Sequence, residues 1–170
     1  MEIINNFNFS YINGEDKRSP NAFDIALNTI FVLTGIRPAF MVQSIDYQDQ
    51  RVFKRILTLI FKSEELIGVQ IDQGVIILRS DRPDLLQLIQ EYENTDSDSI
   101  LGQILGYPCY AEFDPTIEQK FYSIGIKGNP YTDIMTNGCK TERNVRKMYR
   151  LFKRMQKVAN KLNVELTFSN

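Results

Sequence analysis

The chain predicts an α+β fold in one domain: a mixed or antiparallel sheet with about four to five helices packed on it. Three observations carry this. Helical stretches with apolar residues at i, i+3, i+4 and i+7 alternate with short period-two stretches. One hairpin is legible directly, which favours antiparallel pairing. The 170 residues are 43% apolar and 24% charged, enough for one core without disulfide support.

The elements follow in order. Residues 3–12 alternate through Phe7, Phe9 and Tyr11 and predict a half-buried strand, ended by Asn13-Gly14. Ser19-Pro20 has the pattern of an N-cap followed by Pro at the first helical position. Phe23, Ala26, Leu27, Ile30 and Phe31 continue that helix, and Gly35 with Pro38 stops it. Phe40 to Tyr47 predicts a short strand, and Gln48 to Lys62 a largely buried helix. Ile67–Ile71 and Val75–Arg79 flank Asp72-Gln73-Gly74, the pattern of a three-residue hairpin loop closed by a bulge at the glycine.

Arg82-Pro83-Asp84, preceded by Ser80 as a capping residue, opens a helix with the apolar face Leu85, Leu86, Leu88, Ile89 and Tyr92. Glu93 to Asp98 reads as a polar hinge, with Asp98 capping a short helix that Gly106 stops. Residues 110–139 are rich in glycine, asparagine and proline. They predict a strand near Phe121 to Ile126 within an otherwise loop-rich, mobile region. Thr141 caps a basic helix over about residues 141–162, and a terminal strand follows at 163–169.

Composition removes much chemistry. The chain has no His, so a Ser-His-Asp triad, a Cys-His dyad and His-based zinc motifs are excluded. The two cysteines, Cys109 and Cys139, are too few for a zinc shell or a disulfide framework, and they read as buried thiols in a reducing compartment. No metal or cofactor is expected. No leader-like N-terminus and no 18-residue apolar span is present, which predicts a cytoplasmic protein without a membrane anchor. Twenty Ile and 13 Asn stand against five Ala, a bias matching an A/T-rich genome such as those of phages, large DNA viruses or low-G+C bacteria. For a viral protein the place would be the host cytoplasm or the virion.

Charge is unevenly distributed. Residues 140–170 hold nine basic and two acidic residues, a net +7, while residues 1–139 hold 11 basic and 19 acidic residues, a net −8. Val145, Met148, Leu151, Phe152, Met155, Val158, Ala159 and Leu162 mark the apolar face of the last helix. Arg143, Arg146, Lys147, Arg150, Lys153, Arg154, Lys157 and Lys161 fill the rest. These eight are the candidate partner-binding residues, suited to nucleic acid or an acidic protein. A membrane-surface helix is a weaker variant. The plainer reading is a docked helix whose solvated face is neutralised by the acidic remainder of the chain. No aromatic RNA-binding signature or zinc finger is present, which argues against a sequence-specific reader.

A second feature is Leu101-Gly102-Gln103-Ile104-Leu105-Gly106-Tyr107-Pro108-Cys109, two glycines and a Tyr-Pro leading to a cysteine beyond a helix end. The motif residues Gly102, Gly106, Tyr107, Pro108 and Cys109 resemble an L-G-x-x-L-G-Y-P-x-C pattern found in a group of uncharacterised archaeal, bacterial and viral proteins. The resemblance spans about residues 75–113 and implies no activity. Tyr110 stands where a further cysteine often occurs, so paired-thiol chemistry is not implied. Following a helix C-terminus, Cys109 lacks the positive field that activates a thiolate. Asp96-Ser97-Asp98 has the form of a carboxylate pair for Mg²⁺, against the simpler reading as hinge and cap.

Two functional expectations result. The first is a non-enzymatic binding protein that docks an acidic partner or nucleic acid through its basic helix, for example a virion component or an inhibitor of a host protein. The alternative is a small His-free enzyme using Cys109, Asp114, Tyr107 or other carboxylates in a pocket near the Leu105–Cys109 turn.

Overall fold

The computed structural model describes residues 20–43, 58, 60, 62–72, 74–108, 120–139 and 141–170, with the side chains of 20–23, 43 and 129–133 outside that set. The expected strand at 3–12, the cap Ser19, most of the helix expected over 48–62, Cys109 and Asp114 lie outside the described residues. The elements are α1 (Pro20–Leu33), β1 (Ala39–Gln43), β2 (Leu66–Ile71), β3 (Gly74–Arg79), α2 (Pro83–Thr95), α3 (Asp98–Ile104), β4 (Lys120–Ile126), β5 (Asn129–Cys139), α4 (Glu142–Ala159), a 3₁₀ turn (Asn160–Leu162) and β6 (Leu166–Ser169).

The class is α+β with antiparallel strands, divided between two three-stranded sheets rather than gathered in one. Their orders are β1-β3-β2 and β5-β4-β6. The division follows from α1, which is apolar on opposite sides. Leu27 and Phe31 pack with Ile124 and Met135 of the second sheet, while Ile25 and Val32 pack with Phe40, Val42, Val75 and Ile77 of the first. A helix that buries its whole circumference needs a layer on each side. In the first sheet, Val75, Ile76, Ile77 and Leu78 of β3 are all buried, as a central strand covered on both faces requires. Ile76 and Leu78 face away from α1, toward Leu85, Ile89 and Tyr92 of α2 and Ile104 of α3.

The β2–β3 pairing runs to Ile71 opposite Gly74, so Gly74 joins the ladder and is not the expected bulge. The Gln70 side chain closes this end by donating to the Ile71 and Gly74 carbonyls at 3.0 and 2.9 Å. At α2 the N-cap is Arg82, with no side-chain cap bond, and the Ser80 hydroxyl instead donates to the Glu64 carbonyl. At α3 the N-cap is Ser97, and Asp98 occupies the first turn, where its charge faces the helix dipole.

Residues 120–139 correct the expectation of a mobile loop. They form the longest hairpin among the described residues, β4 with β5. The glycines there mark a turn and an irregularity, not a loop. Gly128, at φ +80°, supplies the left-handed residue between Ile126 and Asn129. The register shifts between Ile124 and Gly125, which face Met135 and Asp133, leaving Ile134 as an extra residue in β5. Ile134 and Met135 are both buried in the same core.

That irregularity meets the one fully buried cation among the described residues, Arg37. Its Nη1 donates to Asn28 Oδ1 at 2.5 Å and to the Ile134 carbonyl at 3.2 Å, and its Nη2 donates to the Leu105 carbonyl at 3.3 Å. Its guanidinium carbon lies 6.0 Å from the Tyr107 ring centre. Burial pushes the Arg37 pKa down to about 10, with the neighbouring Tyr107 acting in the opposite direction.

The turn that brings Leu105 and Tyr107 to Arg37 is the Gly-Tyr-Pro motif. Tyr107 N–H donates to the Gly102 carbonyl at 2.8 Å and Gly106 N–H to Gln103 at 3.2 Å, the paired bonds of a Schellman cap. Gly106 has φ +72°, and a Cβ there would lie 2.4 Å from Pro38 Cδ. Both the backbone and the contact therefore demand glycine. Gly35 has a similar φ of +68° with open space around its Cβ position.

Gly106→Ala is expected to cost about 2–4 kcal/mol, combining left-handed strain with overpacking. Gly35→Ala carries the strain alone, about 1–2 kcal/mol. Urea unfolding of the two variants measures the difference, and equal losses would remove Pro38 from the account. Arg37→Lys is expected to lower stability by about 2–4 kcal/mol in the same measurement. The buried charge remains, but one ammonium cannot reach three acceptors on three elements.

Candidate functional site

The eight basic residues of the last helix are placed by one amphipathic segment. Thr141 caps it by accepting a bond from Asn144 N–H, at 3.3 Å to Oγ1. Met148, Leu151, Phe152, Met155 and Ala159 are buried against the second sheet. At about 100° per residue, the basic positions fall within a sector about 120° wide on the opposite side. Arg143, Arg146, Lys147, Arg150, Lys153, Arg154, Lys157 and Lys161 are all exposed.

Few anions answer them. Arg146 Nη2 pairs with Glu142 at 2.8 Å across one helical turn, and this is the one ion pair of the stripe among the described residues. Arg154 reaches the Gly35 carbonyl at 3.5 Å, the limit of a hydrogen bond. Lys153 Nζ lies 5.2 Å from the centre of the Tyr149 ring and 5.6 Å from that of Phe152. Other ion pairs sit elsewhere: Arg79 with Asp81, Arg82 with Asp84 and Lys127 with Glu165. The described acidic residues do not fold over the stripe. An open depression of about 550 Å³ borders it where the helix begins, lined by Thr141, Glu142, Arg143, Arg146, Lys147 and Arg150.

Beside the stripe lies a feature that sequence patterning alone does not assemble. Tyr149 is 44% exposed and falls at the border of the basic sector, next to Arg146 and Lys153. Its ring meets Phe168 of β6 edge-on at 5.6 Å, and Phe168 stacks on Tyr122 of β4 at 5.6 Å. Tyr122 also lines an open recess of about 420 Å³, shared with Lys120, Val145, Cys139 and Arg146. The one available signal was Tyr149, which fits neither the apolar nor the basic set of its helix. Lys120, Tyr122 and Phe168 come from other strands.

β6 is held in place by side chains. Gln156 donates to the Val164 carbonyl at 3.2 Å and accepts from Leu166 N–H at 2.9 Å. Lys127 N–H donates to the Glu165 carbonyl at 2.9 Å, tying the β4–β5 turn to the same segment.

The other sequence candidates separate. Gly102, Gly106, Tyr107 and Pro108 form the helix cap and turn around Arg37. Asp96 is the left-handed cap residue of α2, at φ +48°, and Asp98 begins α3. Among the described residues no cluster of three or more Cys, Asp or Glu is placed to hold a metal ion, and no helix is long and apolar enough to cross a membrane. Cys139 is buried.

Like charges three and four residues apart oppose the helix by a few tenths of a kcal/mol each. Salt therefore stabilises this fold through the stripe. The melting temperature is expected to rise between about 10 mM and about 0.15 M NaCl, as the Debye length shrinks from about 30 Å to about 8 Å. A flat or falling value in a thermal melt would mean that the cations are already neutralised. In comparisons with known proteins, no family model, no curated protein and no solved structure matches this chain, so the functional reading rests on the chemistry of the surface itself.

Proposed function

We propose that this protein is a non-enzymatic binding protein that docks a polyanion, nucleic acid or an acidic protein, through the basic face of α4. The observation that carries the reading is the exposure of all eight cations on one face, with a single ion pair among them within the described residues. A solvated helix needs no such bias, because mixed signs stabilise it better.

Charge spacing favours a phosphate backbone as the polyanion. From Arg143 to Lys161 the stripe runs about 27 Å at about 1.5 Å per residue, so its eight charges, separated by seven intervals, recur about every 3.9 Å along the axis. One strand of duplex DNA presents its phosphates about every 3.4 Å, a comparable axial interval. The mechanism is electrostatic capture: released counterions drive association, and the on-rate falls as salt rises.

The test is a variant carrying Arg146→Glu, Lys147→Glu, Arg150→Glu and Arg154→Glu, all exposed positions. It is expected to keep the wild-type circular dichroism spectrum and to lose binding to heparin and to oligonucleotides. The wild-type protein is expected to lose on the order of 10³ in affinity between about 50 and 200 mM salt, as about six phosphate contacts imply. Wild-type binding by the fourfold variant, or affinity independent of salt, would overturn the proposal.

A further inference from the structure

The aromatic flank of the stripe narrows the ligand class. The geometry points to single-stranded nucleic acid, its phosphates on the α4 cations and its bases against Tyr149 and Tyr122. This rests on the polyanion reading above and adds to it what the cations alone do not specify.

A duplex keeps its bases stacked inside and offers a protein its backbone and groove edges. An acidic protein offers carboxylates. Neither presents unstacked base faces to the aromatic rings beside the cations. A single strand presents both phosphates and unstacked base faces, and proteins that hold one combine a basic track with aromatic platforms. Both parts are present here within one turn of helix. Tyr149 is three residues from Arg146 and four from Lys153, spacings that place neighbours side by side on a helix. Phe168, held edge-on to Tyr149 and stacked on Tyr122, joins the two tyrosines in one aromatic row.

The recess extends that row toward the start of α4. Its lining joins the Tyr122 ring, Val145 and Cys139 with the cations Lys120 and Arg146, so a base entering it would sit beside its own phosphate's partner. Glu142, also in the lining, is held by Arg146. The platform is preorganised: Phe152 is buried beneath it, 5.5 Å from Phe168 and 5.8 Å from Tyr149. Rigid rings lose little conformational freedom on stacking, which makes them efficient contacts.

The experiment measures binding of the full chain to four probes by fluorescence anisotropy and competition: a labelled oligothymidylate of about 20 nucleotides, its abasic counterpart, a duplex of the same length and inorganic polyphosphate. The oligothymidylate is expected to bind at least tenfold tighter than the abasic strand, the duplex and polyphosphate. Tyr149→Ala should lower that affinity about 5- to 100-fold, the range of one lost base stack. It should leave polyphosphate binding unchanged, and Tyr149→Phe should restore the wild-type value. Tyr122→Ala should act in the same direction, and its thermal melt separates lost stacking from lost folding.

Equal affinity for oligothymidylate and abasic strand would overturn the inference and leave the polyanion reading standing. So would unchanged oligothymidylate binding by Tyr149→Ala, or a preference for duplex. Failure to bind any of the four probes would overturn the polyanion reading together with it.

Discussion

The fold turns on Arg37. A cation in the interior carries a large desolvation cost, and it is tolerated where carbonyl dipoles and a ring face surround it. Here those groups come from three different elements: Asn28 from α1, Ile134 from β5, and Leu105 with Tyr107 from the turn after α3. The acceptors are neutral, so geometry has to supply what a carboxylate would otherwise give. The Leu105 carbonyl is at the negative end of α3, where a positive charge is favoured. The Ile134 carbonyl belongs to the extra residue of a strand irregularity, a place where the ladder does not claim every backbone group. Two local features that look like defects, a bulge and a tight Gly-Pro contact, thus both serve one buried guanidinium.

That junction matters to the outer surface because it fixes the second sheet to the rest of the protein. β5 is gripped by Arg37 on the side of α1, and the same sheet carries α4. The helix covers the sheet with Met148, Leu151, Phe152 and Met155, and this burial supplies the stability that its outer face subtracts. Nine pairs of like charges lie three or four residues apart along the stripe, against the single Glu142–Arg146 pair. In isolation such a helix would be poorly formed. Docked on the sheet it holds its charges in a straight row, so the proposed anionic ligand would find them already ordered and meet less entropic cost on binding.

Much of this was legible in the residues. Helical periodicity and the Thr141 cap located α4, and the charge count marked its exposed basic face. The hairpin β2–β3 was legible from its flanking strands, while the burial of Val75–Leu78 on both faces emerged with the fold. Other parts were hidden for definite reasons. Glycine and proline between residues 125 and 138 carry the same local signal in a loop and in a bulged hairpin, and only the partner strand decides between them. The presence of two sheets depended on seeing that α1 is apolar on opposite sides. Helical periodicity reports spacing better than arc. The Gly-Tyr-Pro motif looked like a chemical site because small residues next to a cysteine suggest reactivity. Its use is the approach of Gly106 to Pro38, 68 positions earlier in the chain, which no local pattern shows.

The aromatic row illustrates a more general limit and its remedy. Lys120, Tyr122, Tyr149 and Phe168 belong to three elements, so no window of sequence contains them. Tyr149 departs from the pattern of its helix, a half-exposed aromatic between a basic and an apolar sector. A singly exposed aromatic is ordinary on a protein surface, and Tyr149 also packs on Phe152 and Phe168. What sets it apart is its place beside the cations. The same reasoning separates it from Phe121, which is 63% exposed on the opposite face of β4. Phe121 stands among Ser123 and Thr136, whose hydroxyls bond each other at 2.7 Å, on the face of β4 away from Tyr122 and α4. An exposed ring gains functional meaning from its neighbours, and on this molecule it is the ring beside the cations that has them.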